Sequence, residues 1–276
     1  MGCATLVITK HEGDFMKRVI RLFILSVFVT VVTTMFAVTV FSVSEEELTF
    51  VINEEGTAYS VKSSSSSVEG ELVIPEMYNG LPVTRISDYA FLNSDITSVE
   101  MPDTIKSIGI SAFENCYYLE KVKLSAGIKY VNKYIFDDCE RLQEIVIPEG
   151  VTSIGGTAFY KAGITSLHIP ASVQSLGYQV AEESKIVSLT FAENSQLKFI
   201  DHRAFMNCKS LVGPVILPDG LEEIDYGLFS GCTSLKAVKI PDSVTKYTEE
   251  KAMFTGCSSL EYVQLSKNVN VIPGSM

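Results

Sequence analysis

"LQEIVIPEGVTSIGGTAF", Leu142 to Phe159, carries two short apolar alternations on either side of a proline. Ile145 and Ile147 are two residues apart, the period of an extended strand with one face buried. Pro148 cannot donate to a strand ladder and ends that segment. Glu149-Gly150 has turn chemistry. Val151 and Ile154 then fit a second short strand. Gly155 to Phe159 is too short for a full helix and suits a 3₁₀ or single helical turn.

The same unit recurs along the chain. Its anchor residue falls at Ile74, Met101, Leu124, Ile147, Ile169, Phe191, Leu217, Ile240 and Leu265, in steps of 22–27 residues. A second series runs in phase with it: Phe91, Phe113, Phe136, Phe159, then Ala181 in place of Phe, then Phe205, Phe229 and Phe254. No single unit can bury its apolar face alone. Stacking copies places each Leu, Ile, Val and Phe beside its equivalent and makes one continuous core. The expected fold is a β-rich solenoid of short strands joined by turn or 3₁₀ segments.

The unit L-x-x-[IV]-x-[IL]-P-x-x-[VIL]-x-x-I-G-x-x-A-F-x-x-C-x-x-L resembles the BspA-type (Treponema pallidum-type) leucine-rich repeats of bacterial surface proteins. The resemblance runs from about residue 68 to the end. It places a leucine-rich-repeat solenoid at 71–276 and an N-terminal hairpin cap at 45–70, where "LTFVINEEGTAYSV" (Leu48 to Val61) reads as two strands around a turn. "KSSSSS" (Lys62 to Ser67) is expected to be a flexible loop. "VNVIPGSM" (Val269 to Met276) stops before its ladder Phe, so the last repeat is expected to be incomplete. The resemblance also implies a non-enzymatic protein linked to adhesion to host matrix proteins or to other cells.

Residues 1–44 read as an N-terminal extension and an export signal or membrane anchor. Lys17, Arg18 and Arg21 precede an uncharged run from Leu22 to Phe41, and Glu45-Glu46-Glu47 follow. Ser42-Val43-Ser44 fits the small-x-small pattern of a signal cleavage site. Twenty uncharged residues are also long enough to span a bilayer, so a retained anchor is the competing reading. Under either, the charge asymmetry places the repeats outside the cytoplasm, secreted or at the cell surface. Membrane contact is expected only through this segment. A formal net charge of −11 argues against nucleic acid as a partner.

Five repeats carry a cysteine three residues after the ladder Phe: Cys116, Cys139, Cys208, Cys232 and Cys257. The equivalent position elsewhere is Ser94, Ala162 or Ser184, always a small residue. A catalytic or ligating position would not tolerate alanine, whereas a tight apolar niche would. Each Cys is followed three residues later by Leu; each Ser or Ala is followed two residues later by Ile. Two corner designs of different length are therefore expected, with the sulfur filling the longer one as a buried free thiol. Disulfides between neighbouring repeats and a zinc site are the lesser alternatives, because ladder side chains lie side by side and the cysteines lack paired zinc-site spacing.

No catalytic, cofactor-binding or metal site is expected. His168 and His202 stand apart from any distinctive cysteine, and the nucleophile-elbow, phosphate-loop and zinc-protease motifs are not found. Acid pairs such as Asp137-Asp138 and Glu182-Glu183 are read as solvated loop positions. What varies between repeats is the outward face of the strands, the surface through which solenoids bind. Two patches are candidates for a ligand-binding face. One joins Tyr117, Tyr118, Lys121, Lys123, Tyr130 and Tyr134. The other is the uncharged strip of Thr165, Ser166, His168, Ser188 and Thr190. The expected function is protein–protein interaction or adhesion at a cell surface, with a protein or other surface macromolecule as partner. The alternative is the recognition scaffold of a larger secreted protein acting on cell walls or glycans. A hydrolase using a ladder cysteine is the third reading, and it requires a reactive native thiol.

Overall fold

The computed structural model of the chain describes residues 41–247 and 253–268. They form a succession of short strands and turns repeated along the chain, with almost no helix. The Ile-Pro strands follow one another as three parallel sheets: Glu69–Val73, Asp95–Glu100 and Lys121–Lys123, which bridges on to Glu144; then Ser166–Ile169 and Ser188–Phe191; then Val215–Ile216, Ala237–Lys239 and Tyr262–Gln264. The second strand of each unit makes another parallel ladder, from Tyr130–Val131 through Ser153–Ile154, Ser175–Leu176, Phe199–Ile200 and Glu223–Ile224 to Lys246–Tyr247.

Between the two ladders lies the core predicted by the repeat. Leu142, Ile145, Ile147, Val151, Ile154 and Phe159 are all buried. The phenylalanine rings stack nearly parallel, with centroids 5.4 Å apart for Phe91–Phe113 and 6.1 Å for Phe229–Phe254. Repetition thus turns one apolar face per unit into a continuous interior.

The segment around each ladder Phe is built from turns; the one 3₁₀ segment among the described residues is Glu45–Glu47. Its backbone joins neighbouring units by three rungs per repeat. In the second unit Ser111 N–H donates to Lys133 O, Phe113 N–H to Ile135 O and Asn115 N–H to Asp137 O. The geometry requires left-handed residues two before and two after the Phe. The first column holds Tyr89, Ser111, Tyr134, Thr157, Gln179, Arg203 and Gly227; the second runs from Asn93 to Gly256. Side chains other than Gly are strained there by roughly 1–2 kcal/mol each, so the inter-repeat rungs and the buried rings hold the backbone in place.

At the N-terminal end, Leu48–Ile52 and Tyr59–Ser63 form an antiparallel hairpin closed through Asn53 and Ala58. Tyr59–Ser63 then pairs in parallel with Leu81–Ile86. The hairpin therefore joins one sheet with Leu81–Ile86 and Ser107–Ile108, the second strands of the first two units, rather than standing apart from the repeats. Phe50 and Tyr78 stack at 3.9 Å and Tyr59 meets Tyr78 edge-on, sealing this end with aromatic surface. Lys62 and Ser63, expected in a loop, are strand residues; the exposed serines after them are tied by bonds such as Ser65 Oγ to the Ser67 carbonyl. The fold already includes Phe41–Ser44, four residues before the expected boundary, because Val43 N–H donates to Glu71 O and Glu71 N–H to Phe41 O, each at 2.8 Å. The rest of the expected export segment, and residues 269–276 of the repeat expected to be incomplete, lie outside the described residues. Among the described residues no helix is long and apolar enough to cross a membrane.

Candidate binding face

The five cysteines occupy equivalent places, and their thiols do more than fill space. Each donates to the carbonyl of the ladder residue one repeat back: Cys116 to Phe91, Cys139 to Phe113, Cys208 to Ala181, Cys232 to Phe205 and Cys257 to Phe229, at 3.0–3.2 Å. All five are free; Cys257 is half-buried and the others are buried. Burial pushes the Cys116 thiol up from 9.0 to about 12 and holds Cys139 well above its ordinary value. Cys232 is raised by its hydrogen bond with Cys208 and by burial. A thiolate nucleophile needs the opposite shift. The wide corner closes on itself, as in Leu142 N–H to Cys139 O at 3.1 Å. The tight corner reaches back instead, Gly163 N–H donating to that same Cys139 carbonyl at 3.0 Å. That is the physical basis of the two corner lengths.

The coil separates the first candidate patch. Lys121 and Lys123 face outward on the Ile-Pro ladder, where Lys123 pairs with Glu100 at 2.7 Å. Tyr117 and Tyr118 are exposed at the corner before that strand, and Arg141 lies over the Tyr118 ring at 4.8 Å. Tyr130 projects from the second ladder. Tyr134 belongs to the turn column, its hydroxyl 2.6 Å from that of Tyr178. One repeat winds around the whole circumference, so closeness in sequence did not mean a shared face.

The second patch is brought together. Ser166 stands beside Ser188 and His168 beside Thr190 in one parallel pair, and His168 Nδ1 lies 2.9 Å from Thr190 Oγ1. The Thr165 carbonyl accepts from Val187 and Ser188, fixing the register. The strip remains exposed because alternate residues Leu167 and Ile169 turn inward.

Immediately beyond this strip the Ile-Pro ladder is interrupted: Ser188–Phe191 and Val215–Ile216 belong to separate sheets. By the anchor alignment Pro214 stands opposite Ser188, and it has no N–H to give. The preceding Gly213 has φ +79°, and a Cβ there would meet Ala237 O at 3.0 Å. The 26-residue step from Phe191 to Leu217 also lengthens the intervening segment. The result is a cleft of about 760 Å³ lined by residues that include Thr190, Phe191, Pro214, Ile216, Asp219 and Lys239. Thr190 thus belongs to both the strip and the cleft. The long step and the missing proline after Phe191 are the sequence signals of this cleft.

Several titratable groups sit at the turns. Asp137 is pushed up to about 7 by burial and by Asp138 and Glu114 in its own and the preceding repeat. Glu182 is raised by burial and hydrogen-bonded by Gln179. Asp201, His202 and Asp225 bring one ligand atom each within 4.8 Å of one another. Their arrangement follows from packing: the His202 ring is stacked between Tyr178 and Tyr226 at 5.6 and 5.1 Å, and its Nδ1 lies 2.8 Å from Asp201 Oδ1.

Comparison with known proteins agrees with this architecture. No curated protein matches the sequence. Among solved structures, the leucine-rich-repeat protein TpLRR of T. pallidum matches with a TM-score of 0.55 at 21% identity, covering 80% of this chain and 91% of that one. A leucine-rich-repeat protein of Bacteroides ovatus matches with a TM-score of 0.52 at 23% identity, covering 81% and 70%. Both likenesses concern the fold. The model of the BspA type leucine rich repeat region matches in six copies over residues 74–187 and 181–276, the span occupied by the Ile-Pro and Phe ladders. The chain belongs to the BspA type leucine rich repeat family.

Proposed function

We propose that this chain is an exported, non-enzymatic interaction scaffold that binds a protein or another cell-surface macromolecule. The binding site is the strip of Thr165, Ser166, His168, Ser188 and Thr190 together with the cleft beyond it. The observation that carries this reading is the cleft beside Thr190, where the break in the Ile-Pro ladder gives the surface a concave, partly apolar feature. Concave sites with a few convergent polar groups are the usual form of a binding site, and a rigid coil holds its exposed hydroxyls in fixed register. The buried, protonated thiols support a scaffold over a cysteine hydrolase. Export rests on the basic residues before the apolar run and the acidic residues after it.

The test is pull-down with the full chain against host matrix proteins and, separately, cell-surface extracts. A retained protein ligand that is lost on Thr190→Arg supports the reading. Retention of glycan or cell-wall material alone would instead favour the recognition part of a larger glycan-active protein. No retained ligand in any arm counts against the scaffold reading.

A further inference from the structure

The segment that looks like a signal cleavage site is built into the first sheet. Ser42 bridges Glu71 in parallel register. Val43 N–H donates to Glu71 O, and Phe41 O accepts from Glu71 N–H. Phe41–Val43 therefore run as a short added strand along the outer edge of Glu69–Val73, the edge that would otherwise begin the Ile-Pro ladder with open backbone groups. Val43 packs against the hydrophobic core. Gly70, at φ +91°, leaves room for this strand: a Cβ there would stand 2.1 Å from Phe41 O. Ser44 then makes a capping box, its N–H and Oγ both donating to Glu47 Oε2 at 2.8 and 2.9 Å. The Glu47 carbonyl in turn accepts from Ser64 N–H at 2.8 Å, tying this start to the hairpin.

We infer that Glu69–Val73 is a strand-acceptor site whose occupant is Phe41–Val43 of the same chain. Phe41–Ser44 are accordingly kept in the working protein, and Ser42-Val43-Ser44 is not its processing site. A cut after Ser44 would remove both bonds to Glu71, the Val43 contact and the capping box at once. It would also open an edge strand, the feature by which sheets pair with foreign chains. Any removal of the export segment then takes place before Phe41; otherwise the segment is retained. The inference is independent of where the ligand binds.

Two measurements decide it. Intact mass and N-terminal peptide mapping of the chain recovered from its own cell envelope or medium should give a species containing Phe41–Ser44. A mature N-terminus at Glu45 would overturn the inference. In the full chain, hydrogen exchange at the Glu71 amide should be slow and should quicken by about tenfold or more in Gly70→Val and in Val43→Asp, as expected on loss of a protected edge bond. Amides of the far repeats, such as Asp225, should be unaffected, which separates local release from unfolding. Equal Glu71 protection in the parent chain and in Val43→Asp would contradict the docked strand.

Discussion

The thiol of Cys139 donates to the carbonyl oxygen of Phe113 at 3.2 Å, one repeat back. This joins two features that recur through the chain, the ladder Phe and the small residue three positions later. The Phe carbonyl also accepts from the Cys116 N–H of its own repeat, so the thiol supplies a second donor to a buried acceptor. Cys139→Ala removes both the donor and the sulfur volume. Denaturant unfolding should show a loss of about 1–2 kcal/mol, within the range for a buried hydrogen bond and a small cavity.

Native-state labelling of the thiols should follow burial. Among the five repeat cysteines Cys257 is half-buried, so it should react first, and Cys116, Cys139, Cys208 and Cys232 should react only as denaturant opens the coil. Fast labelling of any of these four in the native protein would restore the reactive-thiol reading.

Alkaline stability follows from the same burial. The Cys116 thiol is raised from 9.0 to about 12 in the folded protein. A raised folded value contributes stability that is complete below the unfolded value and is lost as pH rises towards the folded one. Stability should therefore fall between pH 9 and about 12, and Cys116→Ala should show a shallower fall over that window.

Asp137 gives a second pH dependence nearer neutrality. Its carboxyl rises from 3.8 to about 7, chiefly through burial and then through Asp138 and Glu114. The neutral acid is favoured in the folded state, so its contribution is lost as pH rises from about 4 to about 7. Asp137→Asn should match the parent near pH 4 and exceed it in melting temperature near pH 8. A variant less stable than the parent at pH 8 would contradict the assignment.

Tyr89 is exposed and sits at φ +56° in the first left-handed column. Gly227 occupies the equivalent place six repeats on. Tyr89→Gly should relieve strain of about 1 kcal/mol, partly offset by greater freedom of the unfolded chain. A small rise in melting temperature is expected, and a clear fall would show that the tyrosine side chain stabilises the turn.

The solenoid was legible because Ile147, Phe159 and their equivalents recur at nearly constant spacing, and burial follows directly from that repetition. The left-handed columns were less so. Asn93, Asn115, Asp138, Asn207, Gly231 and Gly256 share one column, a pattern favouring positive φ. Lys161 and Glu183 in that column, and Thr157 and Arg203 in the other, carry no such local mark; neighbouring rungs impose their conformation. The cysteine's packing role could be read from its replacement by Ser and Ala, but not its bond to the preceding repeat, which depends on how units stack. The first patch failed as a single face because Lys121, Tyr130 and Tyr134 follow the chain around the coil. The residues of the second lie side by side because Ser166 and Ser188 occupy the same position in adjacent repeats.

The central claim is that ligand is bound at the interruption beside Thr190. The most direct test is the dissociation constant of the captured ligand for the full chain and two substituted forms, each matched to the parent in melting temperature. Thr190→Arg, which fills the cleft from its rim, should weaken binding by at least about tenfold, roughly 1.4 kcal/mol. Lys121→Ala/Lys123→Ala, on the Ile-Pro strand three repeats away, should leave it unchanged. Undiminished binding by Thr190→Arg together with loss in the double lysine variant would contradict the account and move the site to the lysine-bearing strand.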